Sequence, residues 1–161
     1  MTEPVTEDLD EELQRWVTFE LDNEVYGISV SEVREVLRYS DIAPVPGAPT
    51  FVVGIINLRG NVVTVIDTRS RFGLTKVAVN DDTRIIIIDI EDQEVGILVD
   101  SVAEVVDLDA NAIEAAPNVG NEDTSRYIKG VTSMEGNLLI LVDVNKLLTD
   151  EELADLNAAA F

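Results

Sequence analysis

The sequence contains no cysteine and no histidine. The first absence excludes disulfides, thiolate nucleophiles and cysteine-ligated metals, and the second excludes imidazole general-base catalysis and histidine-ligated zinc or haem. Much of enzymology is thereby removed. Aromatic residues make up 5% of the chain, and Lys76, Lys129 and Lys146 are its only lysines. Cations are needed for the counterion release that drives binding to nucleic acid and for attraction to anionic lipid headgroups, so neither is an expected partner. No run approaches the roughly 20 apolar residues of a membrane span. Met1 to Glu12 is acidic and lacks the apolar centre of a signal peptide. The expectation is a soluble, cytoplasmic protein that needs no cofactor and does not insert into the membrane.

What is present is a folding chain of 161 residues, 46% hydrophobic and 27% charged, with a formal charge of -21. That length suits one compact unit or two very small ones sharing a core. The acid runs from Glu3 to Asp155 rather than forming a tail. Self-repulsion of this kind weakens a compact state in dilute buffer, whereas molar salt shortens the Debye length to about 3 Å and suppresses it. The composition therefore reads as adaptation to a salt-rich, haloarchaeal type of cytoplasm. An acidic face for a basic partner would require clustered charge.

Two segments repeat. Arg15 to Leu37 aligns with Arg84 to Val106 at an offset of 69, matching Val17 with Ile86, Gly27 with Gly96, Val33 with Val102 and Glu35 with Glu104. Gly54 to Thr68 aligns with Gly130 to Val144 at an offset of 76, matching Gly60 with Gly136, Asn61 with Asn137 and Asp67 with Asp143. The wider second offset predicts a longer connection around Asp107 to Asp123. The chain is two copies of one motif.

Each copy reads as short strands. Trp16 to Leu21 and Ile85 to Ile90 are β-branched or aromatic runs followed by Asp22-Asn23 and Glu91-Asp92, which predicts hairpins. Ile55 to Leu58 with Val62 to Ile66, and Val131 to Met134 with Leu138 to Val142, flank Arg59-Gly60-Asn61 and Glu135-Gly136-Asn137 and predict two more, with positive φ at the glycine. Val33 to Leu37 and Val102 to Val106 bring the count to five strands per half. The predicted fold is all-β: two five-stranded SH3-like barrels related by a pseudo-twofold axis, with short helical turns and a C-terminal helix. The expected boundaries are an acidic tail over 1–14, barrel one near 15–79, barrel two near 80–148 within one domain of 15–149, and a helix over 149–161. Pro44 to Pro49 reads as an irregular connection. Thr149-Asp150-Glu151-Glu152 is a capping box followed by Leu153 and Leu156, which predicts a helix that covers the core rather than one that docks a partner.

Catalytic candidates are few. Asp67 and Asp143 are the repeat-related carboxylates that an aspartic-protease-like hydrolase would use, since two carboxylates can share a proton. The residues after them, Thr68-Arg69 and Val144-Asn145, do not form the Asp-Thr/Ser-Gly turn of such enzymes. Each stands where a strand gives way to a helical turn, so N-capping is the simpler reading. Asp107, Asp109 and Asn111 match the first positions of a calcium loop, but Ala112 replaces its glycine and Asn118 its glutamate. Asp109 to Ala115 therefore reads as a capped turn or short helix, and no metal site is expected. Phosphate-loop, dinucleotide and serine-elbow motifs are missing.

The residues resemble the CheW family of chemotaxis coupling proteins. Tyr26-Gly27-Ile28, Val33-Arg34-Glu35-Val36, Pro44-Val45-Pro46, Gly54 to Val63, Val65-Ile66-Asp67, Val95 to Asp100, Gly130, Leu139 to Asp143 and Leu147-Leu148 carry the resemblance over roughly residues 15 to 155. Asn57-Leu58-Arg59-Gly60 is its most specific element, and Thr64 departs from it by standing where the family usually has proline. The resemblance implies intertwined barrels and an adaptor without catalysis, linking the tips of methyl-accepting chemoreceptors to the regulatory domain of the histidine kinase CheA, and so reaching membrane receptor arrays only through partners. It implies receptor binding by Val33, Glu35, Gly54, Leu58, Arg59 and Val102, and kinase binding near Ile42 and Val62. Glu35 and Arg59 carry opposite charges suited to a pair linking strand to hairpin; a solvated role for Arg59, and a core role for Ile42 and Val62, are the alternatives.

Overall fold

The structure, a computed structural model, describes residues 13–115, 126–149 and 151–154. They form strands β1 (Leu13–Leu21), β2 (Glu24–Ser29), β3 (Val33–Arg38), β4 (Val52–Leu58), β5 (Asn61–Asp67), β6 (Arg84–Ile90), β7 (Gln93–Val99), β8 (Ser101–Asp109), β9 (Ile128–Met134) and β10 (Asn137–Val142). A single helical turn, α1 (Thr68–Arg71), follows β5, and 3-10 turns occupy Val30–Glu32, Ala110–Ala112 and Val144–Lys146.

Four hairpins share one turn geometry. Asp22-Asn23, Arg59-Gly60, Glu91-Asp92 and Glu135-Gly136 all have positive φ at both residues. This is the type I′ conformation, whose hand matches the twist of the flanking strands. The expected positive φ is found at Gly60 and Gly136, and Arg59 and Glu135 adopt it as well. The Asn57 side chain accepts a hydrogen bond from Gly60 N at 3.0 Å and helps to hold that turn.

The strands assemble in two sheets, β8-β1-β2-β10-β9 and β3-β6-β7-β5-β4. Each sheet draws strands from both halves, so a division at residues 79/80 marks the sequence repeat and not the sheets. The exchange is reciprocal. β2 runs parallel to β10 with Gly27 opposite Leu141, and β7 runs parallel to β5 with Gly96 opposite Val65. A Cβ at Gly27 would lie 3.1 Å from Leu141, and one at Gly96 would lie 3.1 Å from both Val65 and Ile85. The glycine shared by the two copies thus gives room where the halves cross.

Both sheets close on themselves. Ala43, beyond β3, exchanges backbone hydrogen bonds of 2.9 and 2.8 Å with Ile55 of β4, and Glu114, beyond β8, exchanges two of 2.8 Å with Val131 of β9. The outer strands of each sheet are joined this way, and the exposed edges that would invite further pairing are reduced. Gly54 and Gly130 stand at the two closures. A Cβ at Gly54 would lie 2.2 Å from the Ala43 carbonyl oxygen, and one at Gly130 would lie 2.7 Å from Ile113 Cγ2 and 2.8 Å from the Glu114 oxygen.

Burial follows from the exchange. Ile56, Val63, Val65, Ile85 and Ile87 fill one barrel, while Trp16, Leu108, Leu139 and Leu141 fill the other. A third, larger cluster between the sheets includes Phe19, Leu21, Ile28, Ile66, Ile86, Ile88, Ile97 and Val142. Ile85 to Ile88 are all fully buried because β6 has a barrel interior on one face and the shared core on the other. An unbroken apolar strand is the sequence mark of burial on both faces. Phe19, Tyr26, Phe72 and Tyr127 form a ladder of rings with centroids 5.4–5.8 Å apart.

The expected capping box forms: Thr149 N donates to Glu152 Oε1 at 2.9 Å, and Glu152 N donates to Thr149 Oγ1 at 3.0 Å. Residues 151–154 are helical, and Leu153 enters the shared core, which supports the core-covering reading. Arg71 of α1 holds this turn with hydrogen bonds of 2.8 and 3.1 Å to Glu152 while lying over the ring of Phe51. Leu156 and the acidic segment 1–12 lie outside the described residues.

Candidate functional site

β3 turns alternate residues inward: Val33, Glu35 and Leu37 are half-buried, whereas Arg34, Val36 and Arg38 face solvent. A carboxylate on the inner side of an outer strand needs a partner, since a desolvated charge without one is costly. Arg59 supplies it. Its Nη2 donates to Glu35 Oε2 at 2.6 Å, and this hydrogen bond raises the guanidinium pKa further. The pair spans β3 and the β4–β5 hairpin, so it lies along the same seam as the Ala43–Ile55 closure. The other carboxylate oxygen of Glu35, Oε1, is buried without a donor.

The remaining receptor candidates fall around this seam in different ways. Leu58 is half-buried against the interior of its barrel. Val33 and Val102, equivalent in the repeat, both pack half-buried against the shared core. Gly54 is buried and faces Ala43 and Ile42, so its local role is to let the seam close. The two kinase candidates part company. Ile42 is half-buried against the barrel interior, but Val62 is 52% exposed. Leu138, the repeat equivalent of Val62, has the same exposure. Val36 and Val105, another equivalent pair, also stand in solvent.

Asp67 and Asp143 act as N-caps. Asp67 Oδ1 accepts from Arg69 N at 3.0 Å and from Ser70 N at 3.5 Å, and Asp143 Oδ1 accepts from Asn145 N at 3.1 Å. Asp109 caps its 3-10 turn in the same way, accepting from Asn111 N at 2.9 Å.

Among the charged contacts that sequence reasoning missed is a network centred on Arg69. Arg69 is buried and donates through Nε and Nη2 to the two oxygens of Asp100, while its Nη1 donates to the Thr75 carbonyl at 2.8 Å. Asp22 N donates to Asp100 Oδ2 at 2.9 Å, which ties in the β1–β2 turn. The Arg69 hydrogen bonds hold the Asp100 carboxyl below its ordinary pKa, against the opposing effect of burial. No local pattern signals a contact between residues 69 and 100, because strand exchange brings them together.

Comparison with known proteins agrees with this architecture. The family model described as a CheW-like domain matches residues 15–152. The chain is 36% identical to the chemotaxis protein CheW of Klebsiella aerogenes, over 88% of this chain and 85% of that protein. It is also 36% identical to the chemotaxis protein CheW of Bacillus subtilis, over 86% of this chain and 88% of that protein. The crystal structure of a scaffolding protein, TtCheW from Thermoanaerobacter tengcongensis, superimposes with a TM-score of 0.78 and 38% identity, covering 83% of this chain and 91% of that one. Two reciprocally exchanged five-stranded sheets and a family match spanning nearly all described residues lead to one assignment: the chain belongs to the CheW family of adaptors, which couple methyl-accepting chemoreceptors to the histidine kinase CheA.

Proposed function

We propose that the chain couples through two separate surfaces and catalyses nothing. The receptor tip packs at the seam of β3 and the β4–β5 hairpin, against Val33, Glu35, Leu58 and Arg59, with Val102 contributed from β8 and Gly54 setting the backbone beneath. The kinase binds the apolar end of the same barrel, where Val62 is exposed and Ile42 is half-buried against the barrel interior. The observation that carries the receptor surface is the Glu35–Arg59 pair: the Glu35 side chain is 25% exposed, Arg59 is 70% exposed, and Glu35 Oε1 awaits a donor. An incoming surface with a hydrogen-bond donor and apolar side chains would complete that site. Asp67 and Asp143 are occupied as helix caps, which argues against a hydrolase built on them. Working from the cytoplasm, the chain would reach membrane arrays through its partners; no described helix is long and apolar enough to cross a membrane.

The test is co-sedimentation of the chain with receptor-bearing membranes and the kinase. Arg59→Glu sets two carboxylates together and should weaken receptor binding about tenfold while kinase binding changes less. The swap Glu35→Arg with Arg59→Glu restores the pairing. Recovered binding means that the pair holds strand to hairpin; a folded swap that still fails means that Arg59 itself touches the receptor. Undiminished binding by Arg59→Glu would remove the receptor from this seam.

A further inference from the structure

Arg38 differs from every other arginine of the chain. Arg15, Arg34, Arg59, Arg69 and Arg71 each hydrogen-bond a carboxylate, Arg84 bonds backbone carbonyls, and Arg126 bonds Tyr127. Arg38 has neither a hydrogen bond nor an ion pair within the described residues. In a chain with 32 acidic residues against 11 basic ones, a guanidinium left without a carboxylate among the described residues is not explained by scarcity of partners.

Its surroundings add charge of the same sign. Arg38 stands directly opposite Arg84 in the β3–β6 pairing, and like charges so placed are destabilising. Arg84 Nη1 donates to the Asp81 and Thr83 carbonyls at 2.8 and 2.9 Å, which fixes the guanidinium without neutralising it. Both arginines line a groove of about 540 Å³ at the end of β3, together with Tyr39, Val79 and Asp81. Tyr39 is 36% and Val79 43% exposed, so the groove offers apolar contact beside the two cations. Asp81 supplies the single carboxylate of the lining.

We propose that this groove receives an acidic segment of a partner protein, with a carboxylate on Arg38 and an adjacent aliphatic side chain on Tyr39 and Val79. A planar guanidinium pairs a carboxylate through two parallel hydrogen bonds, and Arg84 adds field without having to move. The apolar contacts favour a peptide over an inorganic anion, because they persist when salt screens the charges. No residue assigned above to receptor or kinase binding lines this groove, so the surface is a third one and stands or falls independently of them.

The experiment uses the full-length chain labelled with nitrogen-15 and titrated with a hexapeptide in which two adjacent glutamates are flanked by leucines. Amide shifts should cluster at Arg38, Tyr39, Val79 and Arg84. Replacing the two glutamates by glutamine, with the protein untouched, should weaken binding about tenfold, as should Arg38→Gln; Arg38→Lys, which keeps the charge and loses the fork, should recover part of it. The proposal is overturned if the peptide moves none of these amides, if its glutamine version binds equally, or if Arg38→Gln binds as tightly as wild type. It is also overturned if inorganic phosphate alone reproduces the shifts and displaces the peptide, or if the same amides shift with protein concentration in the absence of peptide, which would make the occupant a second copy of the chain.

Discussion

The two barrels close with the same backbone and different side chains. At one seam Ala43 meets Ile55 over Gly54, and Glu35 is tied to Arg59. At the other Glu114 meets Val131 over Gly130, but the positions equivalent to Glu35 and Arg59 are Glu104 and Glu135, which line a shared groove as two carboxylates. The repeat therefore preserves what backbone geometry demands and lets the charges diverge. The same holds deeper in the molecule: the buried Arg69 pairs with the half-buried Asp100 where their equivalents are Asn145 and Ser31. Neither the Glu35–Arg59 pair nor the Arg69–Asp100 pair has an ionic counterpart at the repeat-equivalent positions.

The largest expected effect tests the shared part of the comparison. Gly54→Ala forces a Cβ against a backbone oxygen 2.2 Å away and should cost about 3 kcal/mol or more, whereas Gly130→Ala meets a movable Ile113 methyl and an oxygen at 2.8 Å and should cost about 1–2 kcal/mol. Urea unfolding of both variants checks the order; equal losses would mean that the seams are equally rigid.

Next comes the fastener without a counterpart. Asp100→Asn or Arg69→Gln should destabilise by about 2–3 kcal/mol, because the survivor is left as a largely buried charge. The contribution has a definite pH dependence. Asp100 has a depressed pKa when folded, so its stabilisation is complete above the unfolded value of about 3.9 and is lost as pH falls through the lower folded value. The gap in Tm between wild type and Asp100→Asn should therefore narrow below about pH 4; a gap constant down to pH 2 would refute the linkage.

Global charge is the third lever. With -21 on the chain, Tm should rise by about 5 °C or more between roughly 0.1 and 2 M KCl. A flat profile would refute the reading of the composition as salt adaptation. The smallest effect is also the most specific: Glu135→Arg installs at the second seam what Arg59 provides at the first, in a turn position whose equivalent already carries arginine at positive φ. It should raise stability at low salt by on the order of 0.5 kcal/mol, with the gain fading as salt increases. No gain at low salt would mean that Glu104 and Glu135 do not share a seat.

By itself, the sequence determined the strand content, the hairpins and the duplication, because these rest on local chemistry: β-branched runs, two-residue turns and glycines recurring at matched offsets. It also determined the caps at Asp67, Asp143 and Thr149, since a cap and the amides it serves lie within three residues of one another. The Glu35–Arg59 pair was legible from opposite charges at two motif positions, and the Thr149 box from its four-residue spacing. Local pattern left open which half pairs with which: the family resemblance implied intertwined barrels, and the tertiary structure decided which strands are exchanged. Strand exchange is a choice among sheet neighbours that periodicity does not encode, because β5 is equally apolar beside a strand of either half. From that choice follow the division of the core into two barrel interiors and a shared layer, the Arg69–Asp100 pair, the parting of Ile42 from Val62, and an arginine at the end of β3 that no carboxylate among the described residues reaches.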